Sequence, residues 1–499
     1  VYRLKFSYDN IHVRMTGDPH AITITLKHLV IQDPQRFFKP SYKRRTWDGN
    51  FYLYDKSTLT FLVGLLPYVL SKLDKVTNAT VKILDYTLED LRKPCMPLGK
   101  DFKLKKITLR PYQLEAVKSI FTAPIKGRGV IHAATNSGKT EILIALAKYI
   151  GRKTLYITPN YEPLAVQTYT RFLDRGLNSV GLYRGDEEDL EYQVVVCNIQ
   201  FLRSRKENLL DFLDSVEVVM VDEVHGASAE SYVDLLKLCR NAYYRIGVSG
   251  TPFSGTVYRD LTTIASIANV TYKISNNDLI DLGVSSEPEV VYLKYNDHQE
   301  LINNFKEEMN EENYSQAYDR YIVNNTVRND IILSIVTKIA ELGDRTLVFT
   351  TRLEHCKLLY NLFTQAGIPS EMVTGAVEER EHIKKSFEAG GIKCLIVTTV
   401  FDTGVDFVGG VDCLVNASAG TSLIRTLQRT GRGLRLQNNN WNKFLVFDFI
   451  DPYQFFTKQS NTRKETYKLE DFSVTEINSS GLEDEIDAYY EEKAKSINS

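Results

Sequence analysis

Gly129-Val130-Ile131-His132-Ala133-Ala134-Thr135-Asn136-Ser137-Gly138-Lys139-Thr140 runs straight into Glu141–Ile150, an apolar stretch with helical spacing. A short apolar strand, a tight polar turn and a helix start thus follow one another, the unit from which parallel sheets covered by helices are built. The same texture extends outward from it. Apolar strands are expected at Gly129–Ala133, Thr154–Thr158, Gln193–Cys197, Val216–Val221 and Tyr244–Ser249, with helices such as Glu141–Ile150 and Pro163–Arg175 between them. A linking region around Asp278–Ser286 ends this block.

A second series follows at Arg345–Thr350, Ser370–Val373, Cys394–Thr398, Asp412–Asn416 and Phe444–Phe449, its first helix expected within Gln299–Gly343. Two such blocks invite a nucleotide site between them, because doubly wound sheets bind ligands beyond their strand C-termini. Residues 1–95 differ. Strand-like runs at Tyr2–Ser7, Ile11–Met15, Ile22–Thr25 and Phe51–Asp55 and a helix-like Gly64–Leu73 suggest a small α+β module, closed by a linker at Pro94, Pro97 and Gly99. The division is 1–95 accessory domain, 96–283 first α/β domain, 284–453 second α/β domain and 454–499 a polar, acidic, frayed tail.

Composition narrows the class. The chain has 499 residues, 43% of them hydrophobic, enough for several cores. Its longest apolar run, Phe61–Leu70, is too short to span a membrane, and Val1–Ser7 reads as a strand rather than a signal peptide. The expected location is cytoplasmic, or the host cytoplasm for a viral chain. The six cysteines lie far apart with no C-x-x-C pair, which suggests buried thiols in a reducing compartment. The net charge of -2 hides an asymmetry. Residues 1–100 carry 16 Lys+Arg against 9 Asp+Glu, and residues 465–499 carry 3 against 10. A basic head suggests a polyanion partner, and an acidic tail could repel or mimic one.

The chemistry concentrates in three places. In the turn Thr135-Asn136-Ser137-Gly138, backbone N–H groups at a helix N-terminus can wrap a β-phosphate. Lys139 would reach the β- and γ-phosphates and the Thr140 hydroxyl would bind Mg²⁺. Ala133 stands where the common pattern has its first Gly. The strand Val218–Val221 delivers Asp222 and Glu223 to its C-terminal end. Asp222 can hold Mg²⁺ through water while Glu223 orients and deprotonates an attacking water. Gln428–Arg435 spaces guanidinium groups that can grip a γ-phosphate. In the basic head, Lys43-Arg44-Arg45 beside Trp47 could set cations on a phosphate backbone and an aromatic ring against a base or sugar.

Taken in order, these motifs resemble those of superfamily 2 helicases and translocases over residues 107–450. Arg110-Pro111-Tyr112-Gln113 resembles the adenine-reading Q motif and Ala134–Thr140 motif I. Pro159-Asn160 with Gln167 resembles motif Ia, and Asn198-Ile199-Gln200 a strand-contacting segment. Asp222-Glu223-Val224-His225 is similar to a DExH motif II, and Ser249-Gly250-Thr251-Pro252 to motif III. Val348–Arg352, Thr398–Asp406 and Gln428–Arg435 resemble motifs IV, V and VI. The N-terminal Phe37-Phe38-Lys39-Pro40 and Arg45-Thr46-Trp47-Asp48-Gly49 resemble the front of phage UvsW-type helicases, which act on branched DNA.

The resemblance implies two tandem RecA-like parallel-sheet domains behind a small α+β accessory domain, an ATP hydrolase using ATP and Mg²⁺, and 3′→5′ movement. It implies that Gln113 reads adenine with Arg110 supporting the nucleotide, that Gly404 and Asp406 sit near the ribose and γ-phosphate, and that Arg432 and Arg435 are arginine fingers. Pro159, Asn160, Gln200, Thr350, Arg352 and Thr399 are implied to line the nucleic-acid track. The expected partner is branched or single-stranded DNA, with single-strand-binding or recombination proteins as the partner classes it allows and a monomer as the favoured state. The alternatives are a duplex translocase that leaves strands paired, an RNA helicase, and a binding scaffold with a vestigial ATP site.

Overall fold

Apolar, β-branched runs bounded by polar turns make the interior strands of this molecule, since strands covered by helices on both sides must be apolar on both faces. The structure, a computed structural model, describes residues 2–73, 79–85, 102–159, 162–185, 187–296, 314–373, 377–398, 411–421 and 441–498. It divides into two units, Val1–Ala134 with Gly138–Ile274, and Thr135–Ser137 with Ser275–Ser499.

The first unit opens with the accessory module. Strands β1 (Tyr2–Tyr8), β2 (His12–Gly17), β5 (Tyr54–Asp55), β6 (Thr60–Leu62) and β7 (Ala79–Asp85) form one sheet in the order β5-β6-β2-β1-β7, while β3 (Val30–Gln32) and β4 (Asn50–Tyr52) pair separately. Leu4, Phe6, Tyr8, Val13 and Met15 alternate onto its buried face. The expected strand Ile22–Thr25 is instead part of the helix Pro19–Lys27. Asp18 caps it by accepting from His20 N, Pro19 sits in the first turn, and Ala21 and Thr25 share the buried side. Capping and helical spacing outweigh the β-propensity of Ile-Thr-Ile-Thr.

The α/β part of this unit holds β8 (Arg128–Ala133), β9 (Thr154–Thr158), β10 (Val180–Arg184), β11 (Glu187–Glu188), β12 (Val194–Asn198), β13 (Val218–Asp222), β14 (Tyr244–Ser249) and β15 (Val270–Ile274). Their order is β11-β10-β12-β9-β13-β14-β8-β15, parallel except where β11 folds back on β10. The accessory module shares a core with this domain: Ile125, Leu261 and Ala265 pack among Phe61, Leu65 and Val69. A Cβ on Gly64 would come within 2.0 Å of the Ile264 carbonyl oxygen, so two backbones touch there. The Phe51 ring stacks on Tyr258 at 4.1 Å, and Asn10 Nδ2 donates to the Arg240 carbonyl.

The second unit is a seven-stranded parallel sheet of β16 (Glu287–Lys294), β17 (Thr346–Phe349), β18 (Ser370–Val373), β19 (Cys394–Val397), β20 (Cys413–Asn416), β21 (Lys443–Ile450) and β22 (Ser473–Asn478). Its order is β18-β19-β17-β20-β21-β16-β22, with a core on each face. The C-terminal segment expected to fray is built into this unit. β22 pairs along β16, and the helix Leu482–Asn498 lays Leu482, Ile486 and Tyr489 into the core. Tyr489 also accepts from Trp441 Nε1 at 2.7 Å. Apolar residues at helical spacing anchor a segment whose bulk composition is acidic.

The fold is therefore α/β, two tandem RecA-like parallel-sheet domains preceded by a small α+β domain. Cys197, Cys239, Cys356, Cys394 and Cys413 are buried free thiols, and Cys95 lies outside the described residues. Among the described residues, no helix is long and apolar enough to cross a membrane.

Candidate active site

Sheet order builds the first unit's site. Because β14 lies between β8 and β13, three groups emerge side by side at their C-terminal ends: Ala134 with Gly138-Lys139, Ser249–Thr251 and Asp222-Glu223. They bond to one another. Lys139 Nζ lies 3.5 Å from Glu223 Oε1, and Ser249 Oγ donates to Glu223 Oε2 at 2.7 Å. Thr251 N donates to Ser249 Oγ at 3.1 Å, and His132 Nε2 is 2.9 Å from the Gly250 carbonyl oxygen. His225 Nδ1 is 3.4 Å from both Glu223 Oε2 and Ser249 Oγ. Glu223 takes a left-handed backbone, φ +51°, which a non-glycine residue adopts only when its surroundings hold it there.

The two adjacent carboxylates differ electrostatically. Burial, then the charge of Glu223, pushes Asp222 above the usual carboxylate range, against the pull of Lys139. Burial alone would raise Glu223 too, but Lys139, His225 and Ser249 together hold it below that range. Glu223 is thus the stronger acid of the two. Asp222 accepts from Glu223 N at 3.0 Å and from the buried Tyr156 hydroxyl at 3.4 Å.

The turn before the helix Lys139–Ile150 has the shape of an anion cradle. Asn136 and Gly138 have φ of +71° and +77°, and successive N–H groups in such a turn point the same way at the helix start. Asn136 Nδ2 donates to Val284 O at 3.0 Å and Ser285 Oγ at 3.1 Å. Thr135 and Thr140 are half-buried and Ser137 is buried. A Cβ on Gly138 would meet Gln113 Nε2 at 2.4 Å, so the Gln113 carboxamide lies directly against the turn. Gln113 Oε1 accepts from Arg110 N at 2.9 Å, which orients that carboxamide, and Arg110 Nη1 donates to Tyr112 Oη at 3.2 Å. Thr140 and Asp222 offer a hydroxyl and a carboxylate, hard oxygen donors suited to Mg²⁺ with most of its waters retained.

The other sequence-expected residues divide. Pro159 is half-buried at the end of β9. Gln200 is exposed on the helix Ile199–Ser204, whose start Asn198 caps, and lines a hollow of about 500 Å³ with Arg203 and Lys206. Arg352 donates to Ser315 Oγ at 2.8 Å and lies 3.6 Å from Asp319. Thr350 departs from its expected place on a nucleic-acid track. It is fully buried, and its N and Oγ1 both donate to the Val397 carbonyl because it continues the pairing of β17 with β19 by one residue. Lys43, Arg44 and Arg45 are exposed. Trp47 is half-buried, its Nε1 donating to Asn50 O at 2.9 Å and its ring 5.3 Å from Phe51, so its polar edge is used inside the module. Asn160, Thr399, Gly404, Asp406, Arg432 and Arg435 lie outside the described residues. Sequence reasoning overlooked Tyr156, on a strand that reads only as core. Its place beside Asp222 comes from the β9–β13 register.

Comparison with known proteins agrees with this geometry. Residues 106–254 match the model for the Type III restriction enzyme res subunit, and residues 328–437 match the helicase conserved C-terminal domain. The chain is 24% identical over 461 residues to the ATP-dependent DNA helicase uvsW of Enterobacteria phage T4, covering 87% of each chain. It is 23% identical over 372 residues to the DNA 3'-5' translocase XPB2 of Sulfurisphaera tokodaii, covering 68% of this chain and 80% of that one. The structure of S. cerevisiae Dbp5 bound to RNA and ADP BeF3 shares the fold, with TM-score 0.51 and 16% identity, over 77% of this chain and 97% of that one. With the restriction-enzyme res-subunit model and the helicase C-terminal model matched in order, and with likeness to a phage DNA helicase over 87% of each chain, the chain belongs to the superfamily 2 helicases and hydrolyses ATP.

Proposed function

We propose that the chain is an ATP-driven, 3′→5′ DNA helicase that unwinds or branch-migrates branched DNA, such as forks, Holliday junctions and displacement loops, in replication, recombination or repair. The observation carrying the hydrolytic part is Glu223, held ionised between Lys139 and Ser249. Glu223 takes the proton of the attacking water. Lys139 and the N–H groups of Thr135–Gly138 bind the β- and γ-phosphates, and Gln113 with Arg110 selects and supports the nucleotide. Thr140 and Asp222 would hold Mg²⁺, which supplies charge neutralisation at the phosphates when bound. Arg432 and Arg435 are assigned the finger role, and Gly404 and Asp406 the ribose and γ-phosphate side.

The DNA part rests on the exposed Lys43, Arg44 and Arg45 in a module that shares its core with the first α/β domain, and on likeness to a phage DNA helicase. Pro159, Asn160, Gln200, Arg352 and Thr399 are assigned to the strand track. The functional division 1–95, 96–283 and 284–453 goes with this reading, as do the host cytoplasm and single-strand-binding or recombination proteins as partners. A second reading, a duplex translocase that leaves strands paired, is favoured by likeness to XPB2.

Steady-state ATP turnover at fixed salt with no nucleic acid, single-stranded DNA, linear duplex, a four-way junction and single-stranded RNA separates these readings. Greatest stimulation by the junction supports branch remodelling. Equal or greater stimulation by linear duplex favours the translocase, and stimulation by RNA alone overturns both.

A further inference from the structure

The accessory module has a closed apolar core, yet it leaves two adjacent phenylalanines in solvent. Phe38 is 80% exposed and Phe37 55% exposed, in the turn Arg36–Phe38. Neither ring is needed by the core, which Leu4, Phe6, Val13, Phe61 and Val69 already fill. Phe37 is held in place from two sides, with the Arg36 guanidinium 4.3 Å over its face and the Tyr42 ring 5.4 Å away edge-on. Beside it lies a hollow of about 670 Å³ lined by Phe37, Tyr42, Lys43, Arg45, Trp47 and one carboxylate, Asp48, which accepts from Tyr52 Oη and Asn50 N inside the module. That volume is within the range of about 300–1,000 Å³ usual for small-ligand pockets.

The surroundings choose the ligand. Arg36, Lys39, Lys43, Arg44 and Arg45 place five cations within residues 36–45. Lys39 is occupied by Asp33 at 2.6 Å, while Lys43, Arg44 and Arg45 are exposed and have no carboxylate partner among the described residues. An exposed aromatic pair alone would suit a protein surface. Aromatic faces flanked by unpaired cations suit an unpaired nucleotide, whose base stacks while its phosphates meet the charges.

We propose that Phe37, with the hollow beside it, and the neighbouring Phe38 form a stacking site for unpaired bases of a DNA strand, and that Lys43, Arg44 and Arg45 hold the flanking phosphates. This rests on the DNA-helicase reading above. It adds base stacking to a contact otherwise expected to be made by charge and Trp47, and it moves the stacking role from the half-buried Trp47 to the exposed phenylalanines.

The test compares the full-length chain with a Phe37→Ala, Phe38→Ala double variant and a Phe38→Trp variant. Affinity is measured for a single-stranded oligonucleotide and for the same oligonucleotide carrying a run of abasic sites. Stacking worth one or two rings predicts a loss on the order of 10- to 100-fold for the double variant on normal DNA. The slope of affinity against salt should stay unchanged, since no phosphate contact is lost. Phe38→Trp should keep the affinity. The wild type should lose a similar factor on abasic DNA, and the double variant should lose little more. Because both rings are exposed, the variant's melting temperature should match the wild type and serves as the folding control. Equal affinity of wild type and double variant, or equal abasic penalties in both, overturns the site and returns the rings to a protein-facing surface. DNA-stimulated ATP turnover in the wild type alongside that result overturns the site alone. A wild type that no DNA stimulates or binds overturns the DNA reading and the site together.

Discussion

The proposed mechanism gives Glu223 and Lys139 different work although they lie 3.5 Å apart, and substitution should separate them. Glu223→Gln keeps the shape and the Ser249 contact but cannot accept a proton. It should bind ATP and hydrolyse it at least about 100-fold more slowly, the usual cost of losing a general base. Lys139→Ala removes the phosphate cation and should weaken nucleotide binding itself. Nucleotide affinity and turnover measured together give the answer, and wild-type turnover in either variant would break the assignment. His355 gives a pH dependence of stability. It is fully buried, with Nε2 2.9 Å from Asn329 Oδ1, and burial followed by the Arg328 charge lowers its pKa to about 3. In the unfolded chain it titrates near the ordinary ~6.5. As pH falls below that value the unfolded state takes up the proton and the folded state does not. Stability should therefore fall by up to ~1.4 kcal/mol per pH unit between those limits. Denaturant midpoints from pH 7 to 4.5 should decline less steeply in His355→Gln. Identical slopes would mean that the site opens to solvent.

At the scale of elements, the accessory module is fastened to the first α/β domain by an aromatic ladder. Trp47 leans on Phe51 at 5.3 Å, and Phe51 stacks on Tyr258 at 4.1 Å. Tyr258 belongs to the helix Val257–Ser266, which follows Ser249–Pro252 in the chain, so the module's basic turn and the loop that bonds Glu223 are attached to neighbouring parts of one unit. Phe51→Ala should destabilise the module by ~1–3 kcal/mol, the stack together with part of the ring's burial. Amide exchange should quicken across β1 and β2 and stay unchanged in β17 to β21. Uniform quickening throughout would mean that the module is no separate cooperative element. None of this attachment is visible in residues 1–95 alone. The alternation of Leu4, Phe6 and Tyr8 shows which side of β1 is buried but not that Leu261 and Ala265 help to cover that core. The helix at Pro19–Lys27 was legible in principle through Asp18-Pro19, a cap followed by a first-turn proline, but the β-branched run after it masks the signal.

At the scale of the whole chain, the C-terminal acids act inside the fold. Glu476 pairs with Lys294 and Lys464, Glu492 with Lys443, and Asp487 with Lys338. Lysines of the second unit thus pair three of the ten acids that give residues 465–499 their charge of -7. Deleting residues 471–499 removes β22 from its place against β16 and uncovers the core around Ile486. The expected result is a markedly lower unfolding temperature or aggregation, with no tightening of DNA binding at low salt. A truncated chain that melts like the full one and binds DNA more tightly would restore the view of this segment as a DNA mimic.

The sequence alone determined the α/β class, and it made legible the turn at Thr135–Thr140 proposed to bind phosphate and the adjacent carboxylates Asp222 and Glu223. These are local statements: apolar runs, turn chemistry and the order of strand, turn and helix all lie within a few residues of one another. Tertiary structure decided what depends on pairing between distant segments. The β8-β14-β13 order sets Lys139, His225 and Ser249 against Glu223 and so holds its carboxyl pKa below that of its neighbour Asp222. The β9–β13 register brings Tyr156 to Asp222, and burial takes Thr350 inside the second unit. Core packing turns an acidic tail into the last strand and helix of a domain. Charge and polarity read along a chain report composition, whereas the environment that shifts a proton or buries a ring comes from residues tens to hundreds of positions away.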